Sequence, residues 1–346
     1  MTEPAFEVVD GGLLTTVQDE GRPAWTHLGV PESGAADPWS LAVANLLVGN
    51  EPGAAVLEMT VTGPSLVARS DVTISLSGAD LGARVENGRA LPTGRSHRLA
   101  AGDVLTFNGG RGAGATVGIR GYLAIAGGVG VPLVLGSRST CLPGGFGGLA
   151  GRALRTGDLV EAGPWISPGA AGRPRRSEAG WSPELVWPEA GDDDRVSGAG
   201  NDVALRLIAG PDPGIDALVA GRWRVGSAFD RVGVRLDGEP LAGGTGGETT
   251  SHGLPWGAVQ VPPDGRPIIL GADHQTTGGY RVLGVVISAD LPILGQLRPG
   301  ADVRLVAIDR AQAVDALADR RDALAAGAAA VREAAGWSEL VDTAGG

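Results

Sequence analysis

Short stretches of alternating apolar and polar residues dominate this chain. Between residues 54 and 163, runs such as AVLEMTVT and VTISLSG carry this alternation, and Gly, Pro, Asn or Asp separates one run from the next. The same pattern resumes at residues 203–208 and continues to about residue 308. Many short strands with regularly spaced turn residues are typical of sandwiches and barrels. The pattern predicts a mainly β (α+β) fold with two β-rich regions.

Two predicted helices and one segment without periodicity divide the β pattern. Residues 39–47 have helical spacing and follow Asp37-Pro38, a common helix start. Residues 309–335 are rich in Ala, with Leu and Val against Asp and Arg, which predicts an amphipathic helix. Pro, Gly and charged residues fill the segment around 164–203, which indicates a linker. The predicted organisation is an N-terminal β-barrel subdomain at 1–165, a linker at 166–203, a C-terminal β-barrel subdomain at 204–308, and a helix with a tail at 309–346.

Two local patterns refine this picture. Residues 6–18 predict a hairpin whose turn is Asp10-Gly11-Gly12. Segments 75–85 and 268–278 both place Gly-Ala-Asp after an apolar strand. Two barrels of similar build would explain this echo, and chance similarity in a chain rich in Gly and Ala explains it equally well.

Length and composition limit the class of protein. The 346 residues are enough for two domains, and no run of 18 apolar residues is present. The acidic start lacks the layout of a signal peptide, and a single cysteine, Cys141, excludes an internal disulfide. We therefore expect a cytoplasmic protein. The net charge of −11 argues against nucleic acid or an anionic membrane as the main partner.

The chain contains no lysine, because all 28 basic residues are arginine. It therefore has no phosphate-loop lysine, no Schiff-base lysine and no lysine to carry biotin. The serine-hydrolase elbow, the HExxH zinc motif and CxxC are also missing, and the four histidines are scattered. We expect no metal site. Any biotin carrier or Walker-type ATP site must lie on another polypeptide.

The segment at 256–280 carries the strongest indication of a site. A Pro-Pro-Asp-Gly turn at 262–265 precedes a short apolar strand at 267–270, and ten mostly polar or glycine residues follow. A hairpin needs only two to five turn residues, so this tip is larger than chain reversal requires. It is predicted to form the floor of a site. Its candidate residues are Gln260, Asp273, His274, Gln275, Thr276, Thr277, Gly278, Gly279 and Tyr280.

Other polar loops supply further candidates. Gln18 and Arg22 lie in a polar segment, for which a satisfied Asp–Arg pair on a solvated loop is the simpler interpretation. The loop GSRSTCLPGGFGG at 136–148 offers Arg138 and several backbone amides, which could bind a phosphate or carboxylate or could simply turn a corner. Glu58 lies among apolar strand residues, where it is either a functional acid or part of a polar strand face.

Several ordered blocks resemble the KipA family, which includes the C subunit of 5-oxoprolinase and allophanate hydrolase subunit 2. The blocks are TTVQDEGR, GVPESGAADPWSLAVANLLVGN, AVLEMTVTGPSL, RGYLAIAGG, VLGSRST, AFDRVGVRL, GAVQVPPDGRPIIL and ADHQTTGGY, from about residue 8 to 308. The resemblance implies two cyclophilin-like β-barrel subdomains. It also implies a complex with a KipI-like protein, which is the B subunit of 5-oxoprolinase, and with a protein that is similar to its A subunit.

The implied reaction is ATP-dependent opening of 5-oxoproline to L-glutamate, with ATP used by the complex and no activity of the chain alone. One alternative within the family is biotin-dependent carboxyl transfer to urea, with biotin on a separate carrier protein. Another is a regulatory binding protein without turnover.

Residue type and membership of these blocks suggest roles for the candidates. Asp37, Asp273 and Gln275 are expected to be catalytic. His274 stands where the family block usually has arginine, and Arg281 where it usually has proline. The residues expected to bind substrate are Gln18, Arg22, Arg138, Gln260, His274, Thr276, Thr277, Gly278, Gly279 and Tyr280.

Overall fold

The computed structural model describes residues 4–86, 88–109, 118–163, 202–241 and 250–336. The chain divides into two compact units. The first comprises Met1–Glu20, Trp39–Glu189 and Ala323–Gly346, and the second comprises Gly21–Pro38 and Ala190–Asp322. The predicted linker at 166–203 lies outside the described residues except for its last two, which begin a strand.

The described strands of the first unit form two five-stranded sheets around one apolar core. One sheet has the order β10-β1-β4-β8-β6, and the other has the order β2-β3-β9-β5-β7. These strands are β1 Phe6–Asp10, β2 Leu14–Gln18, β3 Val56–Thr60, β4 Ser65–Ala68, β5 Val72–Gly78, β6 Ala83–Val85, β7 Arg95–Leu99, β8 Val104–Phe107, β9 Arg120–Ile125 and β10 Leu159–Val160.

Strand β3 shows how period-two alternation organises the second of these sheets. Leu57 and Met59 point into the apolar core, so Glu58 lies on the opposite face. On that face Glu58 is buried and accepts a hydrogen bond from the Tyr122 hydroxyl at 2.9 Å. Helix α1 (Pro38–Leu47) covers the same sheet, since the Ser77 hydroxyl on β5 donates to a carbonyl of α1 at 2.6 Å. Glu58 therefore belongs to a buried polar strand face.

The predicted hairpin at 6–18 is wrong. Strand β1 pairs with β4 and β10, whereas β2 pairs with β3 in the other sheet. The turn chemistry is as expected, because the Gly12 amide donates to the Asp10 carboxylate at 2.7 Å and Gly12 has φ +69°. A Cβ on Gly11 would lie 2.2 Å from the Leu154 carbonyl oxygen. The tight turn therefore connects two strands that belong to different sheets. Neither β1 nor β2 is hydrogen-bonded to the other.

Seven described strands of the second unit close into a barrel in the order β11-β18-β15-β16-β13-β12-β19. Its first and last strands in sequence, β11 and β19, pair in parallel and so close the ring. Closure removes free sheet edges and gives a rigid support for surface loops. The nine described strands of this unit are β11 Asp202–Ala209, β12 Trp223–Phe229, β13 Gly233–Asp237, β14 His252–Gly253, β15 Ala258–Val261, β16 Ile268–Leu270, β17 Thr277–Gly278, β18 Arg281–Val286 and β19 Asp302–Ala307. Strands β14 and β17 form a separate two-stranded sheet.

Residues 21–38 pack within the second unit, although the predicted boundary placed them in the N-terminal subdomain. The Ser33 amide donates to the Ala272 carbonyl at 3.0 Å. Gly295, in helix α3 (Leu291–Gln296), packs so closely on this segment that a Cβ there would lie 2.1 Å from the Ala36 carbonyl oxygen. Contacts between residues distant in sequence, rather than chain order, determine where this segment belongs.

The mainly β fold with a few short helices and a C-terminal helix is confirmed. The short helix α2 spans Ile215–Ala220, and α4 spans Arg310–Ala334 as the amphipathic pattern predicts. In the first unit, Val331 of α4 packs with Val43 and Leu47 of α1. None of the helices in the described ranges has both the length and the apolarity that crossing a bilayer requires. The end of the predicted tail, at 337–346, lies outside the described residues.

A bidentate ion pair in the first unit makes stability depend on pH. Arg152 donates from Nη1 and Nη2 to the two carboxylate oxygens of Asp158 at 2.7 and 2.8 Å. These hydrogen bonds are the main reason that the pKa of Asp158 lies below its ordinary value. Because the pKa is depressed in the folded state, the stabilisation is present at neutral pH and is lost as pH falls through the folded-state pKa.

Replacing Arg152 with Gln should lower the free energy of unfolding by about 1 kcal/mol at pH 7. The difference in free energy of unfolding between wild type and R152Q should decrease as pH falls below about 4, where the Asp158 carboxyl begins to protonate in the unfolded state. Denaturant titrations from pH 7 to pH 3 measure both effects, with R304Q as an exposed control. If the difference in free energy of unfolding were as large at pH 3 as at pH 7, the Arg152–Asp158 pair could not be its cause.

Candidate functional site

A cavity of about 370 Å³ lies against strands β12, β13, β15 and β16 of the barrel and the tip that follows β16. On β15, Val259 and Val261 belong to the main barrel core, so Gln260 points to the outer face. The cavity therefore lies on the outside of the barrel wall. Its lining residues are Ser227, Ala228, Phe229, Asp230, Val232, Gly233, Arg235, Gln260, Ile268, Leu270, Gln275 and Tyr280.

The amide of Gln260 is the most informative group in this cavity. Gln260 is 1% exposed, and its Oε1 accepts a hydrogen bond from Gln275 Nε2 at 3.2 Å. Its Nε2 is buried and has no hydrogen-bond partner among the described residues. An unsatisfied buried donor costs about 1–3 kcal/mol, so stability alone does not favour it. A ligand with a carbonyl oxygen would satisfy it.

Gly278 makes room for this amide. A Cβ at position 278 would lie 2.8 Å from Gln260 Nε2 and 2.8 Å from a methyl carbon of Leu254. Gly278 belongs to β17, which pairs with His252–Gly253 of β14. The small β14–β17 sheet therefore approaches the Gln260 amide closely, and a larger residue at 278 would displace it.

The rim of the cavity carries other polar groups. Tyr280 is 41% exposed, and Arg235 is exposed without an ion-pair partner among the described residues. Asp230 is occupied locally, because its Oδ1 accepts the backbone amides of Val232 and Gly233 at 2.8 and 3.0 Å. The cavity thus combines an amide donor, a phenol and a guanidinium, which suits a small ligand with a polar carbonyl and a carboxylate.

A buried ion pair fixes the tip that carries Gln275. Arg231 Nε lies 2.9 Å from Asp273 Oδ2 and Arg231 Nη2 lies 3.2 Å from Oδ1, with side-chain exposures of 2% and 0%. Arg231 Nη2 also donates to the Gly34 carbonyl at 2.6 Å, and the Asp273 amide donates to the Arg231 carbonyl at 2.8 Å. Within the described part of the chain, Asp273 does not line the cavity. Both of its carboxylate oxygens are bonded to Arg231.

Arg231 is not among the site residues that the sequence predicts. The residue lies in the AFDRVGVRL block, but no local pattern connects it with Asp273, which is 42 positions away. The signal that could have found it is the carboxylate that follows the apolar β16, since a buried Asp requires a cationic partner.

His274 is also buried and is not among the residues that line the cavity. Its Nδ1 lies 2.7 Å from the Gly271 carbonyl oxygen, and its Nε2 lies 3.1 Å from the Leu254 carbonyl oxygen. The imidazole therefore bridges the tip and the segment that follows β14. Thr276 strengthens this connection, because its carbonyl accepts the Leu254 amide at 2.9 Å.

The other candidate residues of the second unit do not line this cavity. Asp37 is buried and accepts a hydrogen bond from Gln296 Nε2 at 2.8 Å. Arg22 is buried, and its backbone amide donates to the Glu32 carbonyl at 2.8 Å. Neither residue is part of the cavity lining described above. Thr277 pairs in β17, and Gly279 separates that strand from Tyr280.

Two candidates belong to the first unit. Gln18 is buried, and its Nε2 donates to Thr16 Oγ1 at 2.9 Å and to the Thr140 carbonyl at 3.2 Å. Arg138 lines a different cavity, which is described below. The structure thus brings Gln260, Gln275 and Tyr280 together on one barrel wall.

Replacing Gln260 with Leu should leave the free energy of unfolding within about 0.5 kcal/mol of wild type, because the gain from removing a buried donor without a partner offsets the loss of the hydrogen bond that Gln275 donates to Gln260. The same change at Gln296 should cost about 1–3 kcal/mol, because it leaves the buried Asp37 carboxylate without that donor. Denaturant unfolding of both variants measures the contrast. If Q260L were destabilised as much as Q296L, the Gln260 amide would have to be a structural group.

Breaking the buried ion pair should be far more damaging. Arg231→Met should lower the free energy of unfolding by about 3–5 kcal/mol, since it leaves the Asp273 carboxylate buried without its cation. The double variant R231M/D273L should lose less free energy of unfolding than R231M alone, because it leaves no unpaired carboxylate buried. Arg224→Met, which removes the exposed pair with Asp302, is the control and should have a small effect. If R231M and R224M lost the same free energy of unfolding, the buried Arg231–Asp273 pair would not be a main source of stability.

Comparison with known proteins gives the family. The model of the carboxyltransferase domain, subdomain A and B, matches residues 28–307. The chain is 36% identical to the C subunit of 5-oxoprolinase from Escherichia coli over 324 residues, covering 91% of this chain and 95% of that protein. It is 32% identical to urea amidolyase of Lachancea kluyveri, of which it spans only 17%.

A solved structure shows the same relationship. The urea carboxylase of Kluyveromyces lactis is 28% identical, with a TM-score of 0.78, and the match covers 94% of this chain and 29% of that one. The family model extends over both units, and the E. coli relative matches nearly end to end. The chain belongs to the carboxyltransferase domain family, subdomains A and B.

Proposed function

We propose that this chain is the C subunit of an ATP-dependent 5-oxoprolinase complex that opens 5-oxoproline to L-glutamate. The observation that carries the proposal is the nearly full-length match to the E. coli protein of that name, at 36% identity and 95% coverage. The urea amidolyase match covers a small part of a much longer protein. The E. coli relative is therefore the better guide to the function of this chain.

The cavity on the barrel wall supports this substrate class. 5-Oxoproline is a five-membered lactam with one carboxylate, small enough for a cavity of about 370 Å³. In our proposal Gln260 Nε2 donates to the lactam carbonyl oxygen, and Arg235 binds the carboxylate. As negative charge develops on that oxygen during ring opening, the hydrogen bond from Gln260 strengthens, which lowers the barrier.

The three residues expected to be catalytic take different roles in this proposal. Gln275 lines the cavity and contacts Gln260, so it can touch the substrate. Asp273 holds the tip in place through Arg231. Asp37 is held by Gln296, and we propose that it acts on substrate only if another subunit exposes it.

The proposed partners follow from the name of the E. coli relative, which marks it as one of several subunits. We expect a KipI-like protein, in the place of the B subunit, and a protein similar to the A subunit to complete the enzyme, with the chain inactive by itself. ATP would be used by the complex. The absence of lysine supports placing an ATP site of the Walker type on another polypeptide.

A second candidate is biotin-dependent carboxyl transfer to a urea-like nitrogen. The match to the K. lactis urea carboxylase, with a TM-score of 0.78, favours it. Urea presents the same carbonyl oxygen that Gln260 Nε2 could bind. Biotin would have to be delivered by a separate carrier, because this chain has no lysine to attach it.

The test compares two glycine variants in the complex assembled from this chain and its two partner subunits. Gly278→Ala should displace the Gln260 amide and lower kcat/KM for 5-oxoproline at least about tenfold, equivalent to about 1.4 kcal/mol. Gly253→Ala is the matched control, because a Cβ there meets nothing within 4 Å. ATP- and 5-oxoproline-dependent glutamate formation is the measurement.

The outcomes separate the candidates. Consumption of carboxybiotin with urea, without glutamate formation, would favour the second candidate. Tight partner binding with neither turnover would favour a regulatory protein. Strong 5-oxoprolinase activity of the isolated chain, or equal activity of G278A and G253A, would contradict the proposal.

A further inference from the structure

The first unit contains a separate cavity of about 540 Å³. Its walls are the loop after α1 and a glycine-rich turn after β9, and three charged side chains line it. These are Glu20, Glu51 and Arg138. A volume of this size is typical of small-molecule sites.

Arg138 is held in place on two sides. Its Nε donates to the Val131 carbonyl at 3.0 Å, and its backbone amide donates to Asp19 Oδ2 at 2.5 Å. Asp19 is itself fixed, because Oδ1 accepts the hydroxyls of Ser137 and Ser139 at 2.6 and 2.5 Å. The two terminal nitrogens of the guanidinium have no partner among the described residues.

This arrangement presents a pre-oriented pair of N–H donors. The edge formed by Nη1 and Nη2 matches the two oxygens of a carboxylate in a bidentate geometry. Because Val131 already holds the side chain through Nε and Asp19 holds the backbone at Arg138, binding costs little conformational entropy. Arg138 is therefore suited to hold the carboxylate of a small ligand.

The other two charged groups determine what kind of carboxylate can bind. Glu20 and Glu51 line the same cavity, and neither side chain has a hydrogen bond or ion pair within the described residues. Glu20 packs over Gly53, where an added Cβ would lie 2.3 Å from its carboxyl carbon. With two carboxylates against one guanidinium, the cavity disfavours phosphates and dicarboxylates and favours a ligand that also carries a cation.

We propose that this cavity binds a neutral α-amino acid in its zwitterionic form. The ligand's carboxylate accepts hydrogen bonds from Nη1 and Nη2 of Arg138, and its ammonium group lies toward Glu20 and Glu51. Gly127, Gly128 and Gly130 leave one wall without side chains, which allows the ligand to approach the backbone. This site does not depend on the 5-oxoprolinase proposal, since none of its residues lines the Gln260 cavity.

The test is equilibrium binding of the neutral L-amino acids to the full chain, measured by calorimetry. At least one of them should bind saturably. Its deaminated acid and its carboxamide, which each lack one of the two charges, should both bind at least about tenfold more weakly, a difference of about 1.4 kcal/mol. Equal binding of the deaminated acid would overturn the role of the two glutamates.

Matched variants assign the binding to this cavity. Arg138→Gln should weaken it at least about tenfold, whereas Arg155→Gln, an exposed arginine outside the lining, should not change it. The double variant E20Q/E51Q should weaken amino-acid binding. E161Q, which changes an exposed glutamate outside the lining, should not.

Gln260→Leu separates the two proposals, because it should leave amino-acid binding intact whatever its effect on turnover. Unchanged binding in a folded R138Q variant, or no saturable binding of any neutral amino acid, would refute the proposed site.

Discussion

The ion pair between Arg231 and Asp273 is the constraint on which the second unit depends. It joins three segments far apart in sequence: the turn between β12 and β13, the tip after β16, and the loop around Gly34. Burying two charges is favourable only when their geometry is good and their remaining hydrogen-bonding capacity is used. Here the backbone amide of Asp273 and a carbonyl at Gly34 complete the arrangement. The tip is thereby held to a closed barrel instead of moving as a loop.

This rigidity explains how the barrel can maintain an unsatisfied amide. A buried donor without a partner would normally be relieved by a small movement of the chain. The wall strand β15 cannot shift, because it is hydrogen-bonded on both sides within a closed sheet. The tip is restrained as well, since Arg231 bonds to Asp273 and His274 contacts the Leu254 carbonyl outside the tip. Gln260 is therefore pre-organised for a carbonyl ligand at some cost in stability, as is common at binding sites.

Local patterns were sufficient to predict the class of fold. The alternation at β15 and β16 and the excess of polar residues after them indicated Gln260, Gln275 and Tyr280, which do line one cavity. Long-range partners could not be predicted in this way. The turn at Asp10 has hairpin chemistry, yet the ladder partners of its two flanking strands lie in different sheets. Similarly, nothing local shows that His274 turns inward to two carbonyl groups.

The titratable groups at the tip also give a physical reason for the proposed assembly with other polypeptides. Opening an amide requires a proton to move to the leaving nitrogen. Both carboxylate oxygens of Asp273 are bonded to Arg231, and both ring nitrogens of His274 face carbonyl oxygens. Asp230, which does line the cavity, uses one oxygen to accept two backbone amides. Within the described residues, Asp273 and His274 are therefore committed to structural contacts, whereas Gln260 is placed to bind and polarise a carbonyl. A second chain that contributes an acid or base would complete the site, which is why we expect this protein to work as one part of a larger enzyme.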